Sequence, residues 1–191
     1  MIYSFGKGSD DLKNRARIKN ITVTALGVVL LAICSWISVM GVTLQTFGVC
    51  FLISYFGAKR GAITDAVYLL MGALGIPVFS GFGGGIGWIL GPTGGFLLGF
   101  LAVSLMHIAV DAILPKIAQR LAFRIPFLTA CVLCCYLCGA CTVYLYYLKN
   151  GSSVSFFGVF LGFIPMYALF DAVKILLACY LAKYLSRIKP I

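Results

Sequence analysis

Apolar residues fill long runs of the chain, broken at intervals by short polar or basic stretches. The runs are Ile21–Met40, Val42–Ala58, Ile63–Phe79, Phe96–Leu114, Ile125–Leu148 and a last one ending near Leu185. A helix needs about 20 apolar residues to cross a hydrocarbon core of about 30 Å. The pattern therefore predicts six membrane-spanning helices, of which the second and third are short. Pro165 suits the first turn of a helix, where its missing N–H would have been unpaired anyway. The last span is accordingly expected from Pro165 to Ser186, with Phe156–Phe163 as an interfacial or loop segment.

Composition agrees with this reading. The chain is 62% hydrophobic and 10% charged, with a mean hydropathy of +1.06, whereas soluble domains run about 45–50% apolar and about 25% charged. A chain of 191 residues cannot hide that much apolar surface from water by folding on itself, so an all-α integral membrane protein is expected. The net charge of +10, with no Glu, could suggest nucleic acid, but the basic residues sit in separate clusters between apolar runs. Cytoplasmic flanks of membrane helices carry such clusters.

Placing the N-terminus in the cytoplasm puts Lys7, Lys13, Arg15, Arg17 and Lys19 there, followed by Lys59 and Arg60, then Lys116, Arg120 and Arg124, and finally Lys183, Arg187 and Lys189. The outer loops then hold only Lys149, and Lys174 falls within the last span. The expected organisation is one membrane domain over 1–191: a basic cytoplasmic segment 1–20, a six-helix bundle 21–186 and a short basic C-terminal tail, with both termini inside. The first run is longer than the 7–15 residues of a typical signal-peptide core, and no small-x-small cleavage signal follows it, so it reads as an uncleaved span.

Charges in a bilayer core cost about 2.5–3.5 kcal/mol or more each. Asp171 and Lys174 are spaced i,i+3 on one helical face, and Tyr167 extends that stripe. The pair is either a structural ion pair or a polar anchor for a small ligand entering from outside. Asp65 and Asp111 fall near cytoplasmic span ends, where pairing with Lys59, Arg60 or Lys116 is expected. His107 is expected to make an interhelical hydrogen bond rather than bind metal. In "CVLCCYLCGAC" the thiols of Cys131, Cys134, Cys138 and Cys141 follow one helical stripe, read as a small-residue packing face in preference to a thiol–disulfide site.

The glycine-rich stretch "GIPVFSGFGGGIGWILGPTGG" at 75–95 matches neither G-x-x-x-x-G-K-[ST] nor G-x-G-x-x-G, and no Lys occurs in 61–115, so nucleotide binding is excluded. On the outer face it is either a lid, with Phe79, Phe82 and Trp88 as aromatic surface, or a plain flexible connection.

"VTLQTFGV" at 42–49, "RGAITDAVYLLMGALGIPVFSGFGGG" at 60–85, "GPTGGFLLGF" at 91–100 and "FDAVK" at 170–174 together resemble the BioY family, the biotin-specific substrate-binding (S) components of energy-coupling factor (ECF) transporters. The resemblance implies a six-helix, multi-pass protein of a prokaryotic cell membrane that captures external biotin as a transported ligand, with no cofactor. It further implies partnership with a transmembrane coupling protein and two cytoplasmic ATPases, the chain itself being no enzyme. Carried onto this sequence, the binding set is Asp171, Lys174, Gln45 and Thr43, the lid glycines Gly83 and Gly84, and the covering aromatics Tyr167, Phe79 and Trp88. Two rival readings are a stand-alone secondary transporter or channel using Asp171 and Lys174, and a membrane thiol oxidoreductase. No internal inverted repeat is visible between 21–79 and 96–185 to support the transporter reading.

Overall fold

The computed structural model describes residues 3–39 and 41–188, with side chains described from residue 12 onward except at 39, 163 and 164. Met40, the expected end of the first span, and Lys189, in the expected basic tail, lie outside the described residues.

Helix α1 (Tyr3–Trp36) opens the chain, so most of segment 1–20 continues the first span as helix. A minimal hairpin follows, with β1 (Ser38–Val39) antiparallel to β2 (Val42–Thr43) in the register Ser38↔Thr43 and Val39↔Val42. It occupies the first residues of the second expected span, which therefore starts later, as α2 (Gln45–Phe56). Gly57, at φ 89° and ψ 157°, separates α2 from α3 (Ala58–Ala73); a side chain is strained in that conformation. The third expected span stops at Ala73 rather than Phe79. Gly75 and Pro77 end it, because the residue before a proline is driven to extended geometry.

Short α4 (Ile86–Leu90) leads to α5 (Gly94–Ile113), and short α6 (Pro115–Ala118) leads to α7 (Leu121–Lys149). The last helix, α8, runs Phe156–Ile188 with Pro165 inside it. The helix thus starts before Pro165, and Phe156–Phe163 is helical rather than loop. In an apolar surrounding, backbone groups must pair internally; continuing the helix achieves this at the cost of the one donor that Pro165 lacks.

Four helical stretches among the described residues are long and apolar enough to cross a bilayer: Leu12–Trp36, Gly94–Ile113, Leu121–Lys149 and Pro165–Ile188. At 1.5 Å per residue, the 12 residues of α2 reach about 18 Å and the 16 of α3 about 24 Å. Both fall short of a full hydrocarbon core.

The interior is built from Leu31, Val49, Leu52, Ile53, Val103, Leu128, Ile175 and Ala178, all nearly inaccessible. Large apolar side chains such as Leu105, Leu133, Leu145, Leu177 and Ile188 cover the outside, the distribution expected where lipid is the solvent. Helices α5 and α7 approach so closely that a Cβ on Gly95 would lie 2.2 Å from the Cys138 carbonyl oxygen. The small-residue face is real, but it is not the expected cysteine stripe. Cys131 and Cys135 are buried with Val132, Tyr136 and Gly139, while Cys134, Cys138 and Cys141 are exposed. The helix phase of α7 is set by its larger neighbours, and all eight thiols are free.

Two further expectations are corrected. Asp65 lies midway along α3. It is buried, and Ser104 of α5 donates a short hydrogen bond to its carboxylate, tying α3 to α5. Among the described residues neither Asp65 nor Asp111 makes an ion pair, since the recorded pair is Lys174–Asp171. His107 bonds within its own helix, through Nδ1 to the Val103 carbonyl at 3.2 Å, and meets Phe127 edge-on.

Candidate functional site

The beginnings of α2 and α5, the loop after α3, and the middles of α7 and α8 converge on one cavity of about 140 Å³. Because α2 runs away from this cavity and α3 runs back, the hairpin, the glycine-rich loop and the Asp171 stripe meet at the same end of the bundle.

At its centre is the Asp171 carboxylate, 4% exposed at its side chain. Oδ1 accepts a hydrogen bond from Lys174 Nζ at 2.7 Å, one turn further along α8. Oδ2 accepts from Thr46 Oγ1 at 3.0 Å and from the Tyr136 hydroxyl at 2.5 Å. Lys174 also donates to the Thr43 carbonyl at 2.7 Å, which the β1–β2 hairpin holds in place. Three helices and a hairpin are thus fastened to one ion pair. A carboxylate offers about four lone-pair positions and an ammonium three N–H groups. Among the described residues, these bonds leave one acceptor position on Asp171 and one donor on Lys174 unfilled.

Gln45, the first residue of α2, is buried and lines the cavity, and its amide has no hydrogen-bond partner among the described residues. Aromatic side chains supply the walls: Phe79, Trp88, Phe96, Tyr136 and Tyr167. Tyr167 donates from its hydroxyl to the Gly41 carbonyl at 3.2 Å, and its ring faces Phe96 at 6.1 Å and Tyr136 at 6.2 Å.

The glycine-rich loop is folded onto the bundle. The Phe79 amide donates to the Gly83 carbonyl and the Gly85 amide to the Gly72 carbonyl. Phe79, 1% exposed, lies against Gly72 and packs edge-on to Tyr68 at 5.5 Å. On the other side, Trp36 donates through Nε1 to the Pro77 carbonyl at 3.0 Å and stacks on Phe82 at 4.8 Å. The loop is a packed structure anchored to α1 and α3.

Of the residues singled out by sequence, Asp171, Lys174, Gln45, Thr43, Tyr167, Phe79 and Trp88 line the cavity. Gly83 and Gly84 do not line it; they stand behind the wall. A Cβ on Gly83 would sit 2.2 Å from the Trp88 indole, and one on Gly84 would sit 2.6 Å from the Ile76 carbonyl oxygen. Their role in this geometry is to let Trp88 and the loop lie close. Thr46, which lies in the stretch "VTLQTFGV" that carries the resemblance, is bonded to Asp171, whereas Tyr136, bonded to the same carboxylate, and Phe96 were not among the expected site residues. A phenol in the middle of an apolar helix was the available signal for Tyr136, because a buried tyrosine hydroxyl usually finds a partner.

A family model described as the BioY family matches residues 10–190. A protein described as the biotin transporter BioY of Thermotoga maritima is 32% identical over 165 residues, 84% of this chain and 91% of that protein. A probable biotin transporter BioY of Pyrococcus horikoshii is 43% identical over 88 residues, 44% of this chain and 54% of that protein. The alignment thus spans nearly all of the Thermotoga relative and about half of the Pyrococcus one. A crystal structure described as the S-component for biotin from an ECF-type ABC transporter shares the fold, with a TM-score of 0.70 at 20% identity over 89% of this chain and 94% of that one. The apolar helices and these relatives make the chain a multi-pass membrane protein, and the family match over nearly its whole length identifies it: the chain belongs to the BioY family.

Proposed function

We propose that this protein is the substrate-specific subunit of an ECF-type uptake transporter and captures external biotin in the Asp171 cavity. One observation carries the reading. The residual acceptor of Asp171, the residual donor of Lys174 and the unpartnered Gln45 amide face one aromatic-walled cavity at one end of the bundle. Biotin offers a complementary set: a ureido ring with two N–H donors and one carbonyl, an apolar bicyclic body and an anionic tail. A ureido N–H meets Asp171, the ureido carbonyl meets Lys174, and Gln45 adds a neutral hydrogen bond. Phe79, Trp88 and Tyr167 cover the rings. Sites of this kind pair mostly apolar walls with a few placed polar groups.

In the proposed topology, α1, α2, α3, α5, α7 and α8 form six passes of a prokaryotic cell membrane, and both termini are cytoplasmic. Support comes from the basic residues: thirteen fall on the proposed inner side against Lys149 alone on the outer. The short α2 and α3 are accommodated because irregular backbone is tolerated at membrane depth where it lines a cavity, as Thr43, Phe79 and Ser80 do. The chain contains no ATP-binding motif, so transport relies on a transmembrane coupling protein and two cytoplasmic ATPases.

The experiment is binding of radiolabelled biotin to the purified chain in detergent, without ATPases. One-to-one binding is expected, because the whole cavity lies within one chain. Absence of displaceable binding at micromolar biotin would overturn the reading.

A further inference from the structure

At the end of the bundle opposite the Asp171 cavity, α2 and α8 end and α7 begins. They enclose a second concavity of about 450 Å³, whose polar lining includes Ser54, Gln119, Arg120, Arg124, Lys183 and Ser186. Three cationic side chains line it, and no carboxylate does. Arg124 is half-buried and fixed on neutral oxygens: Nε donates to the Ala118 carbonyl at 3.0 Å and a terminal nitrogen to the Ser54 carbonyl at 3.2 Å. Among the described residues, no ion pair involves Arg120, Arg124 or Lys183. The first turn of α7 adds the backbone N–H groups of Leu121 and Ala122, which have no backbone acceptor among the described residues, as is usual at a helix start.

Basic residues at a helix end need no ligand when they point into water. A walled concavity is different. A partly buried guanidinium held only by carbonyl dipoles lacks a counter-charge, and planar N–H forks suit a phosphate oxyanion. The surroundings identify the source. Helices α7 and α8 are each long and apolar enough to cross a bilayer, and the concavity lies where α7 begins and α8 ends, the level at which lipid headgroups sit. Basic pockets between membrane helices hold anionic headgroups in this way.

We propose that the Arg120–Arg124–Lys183 concavity binds the phosphate of an anionic phospholipid headgroup. This is a site separate from the biotin cavity, and it depends only on the chain being a membrane protein.

The test uses delipidated full-length protein in detergent, titrated separately with phosphatidylglycerol, phosphatidylcholine and inorganic phosphate, and read by native mass spectrometry and thermal unfolding. Phosphatidylglycerol is expected to form a one-to-one adduct and raise the unfolding temperature, while phosphatidylcholine and millimolar phosphate do neither. A double variant, Arg120→Gln with Lys183→Gln, spares Arg124 and its structural bonds. It is expected to weaken phosphatidylglycerol binding by about tenfold or more and to leave biotin binding unchanged. Equal binding of the two lipids, or equal binding of phosphatidylglycerol by the variant and the unaltered protein, would overturn the site. Stabilisation by inorganic phosphate equal to that by phosphatidylglycerol would overturn the assignment to a lipid.

Discussion

Tyr136 on α7 and Asp171 on α8 are joined by a 2.5 Å hydrogen bond from the phenol to Oδ2, the oxygen that also accepts from Thr46 on α2. The carboxylate is therefore aimed by two neutral donors before any ligand arrives, while Lys174 balances its charge through the other oxygen. Replacing Tyr136 with Phe keeps the ring in the cavity wall and removes only this donor. A hydrogen bond to a charged group contributes about 1.5–3 kcal/mol, so biotin affinity is expected to fall roughly tenfold in Tyr136→Phe, with folding retained. Equilibrium binding of labelled biotin checks the loss, and size-exclusion elution in detergent checks the fold.

Gln45 gives a different signature. Its amide has no protein partner among the described residues, so truncation breaks no hydrogen bond of the resting fold. Gln45→Ala is expected to weaken biotin binding by about two- to tenfold, the range for one neutral hydrogen bond, at an unchanged unfolding temperature. A fall in unfolding temperature with unaltered affinity would assign Gln45 to the scaffold.

Asp65 is the control for buried charge away from the cavity. Its bond to Ser104 fastens α3 to α5, and Ser104 is wholly inaccessible. Asp65→Ala leaves that hydroxyl unpaired, a cost of about 1–3 kcal/mol, and is expected to lower the unfolding temperature by several degrees. Biotin affinity should stay within about twofold, since Asp65 does not line the cavity. Differential scanning fluorimetry alongside ligand titration separates the two effects.

The polar part of the site was largely legible in the sequence, because charge in an apolar run stands out and i,i+3 spacing fixes a shared face. Asp171 and Lys174 were found on that ground. Thr43 and Gln45 came through the family resemblance, while the glycine loop stood out by its composition. Tyr136 was not legible: it lies among cysteines whose spacing suggested the wrong face of α7, and only the close packing of α7 against Gly95 and Gly99 of α5 turns its ring inward. The role of Asp65 was misjudged for a related reason. Sequence places it a few residues from Lys59 and Arg60, but burial depends on α5 lying alongside. Helix ends were the other weak point. Hydropathy continues unbroken through Val42–Thr43, Val78–Phe79 and Phe156–Phe163, yet the first two are strand and loop and the third is helix. Apolar character marks contact with protein or lipid; it does not report backbone conformation.

The central claim is that the Asp171 carboxylate receives biotin. Its most direct measurement is a calorimetric titration of biotin into the purified chain and into Asp171→Asn, side by side. Asparagine keeps the size and one acceptor while removing the charge that Lys174 balances. The expected result is one-to-one binding to both proteins, weakened by roughly ten- to a hundredfold in Asp171→Asn, with both eluting as folded protein. Equal affinity in the two proteins, together with a lower unfolding temperature for Asp171→Asn, would contradict the account and make the pair a structural clasp.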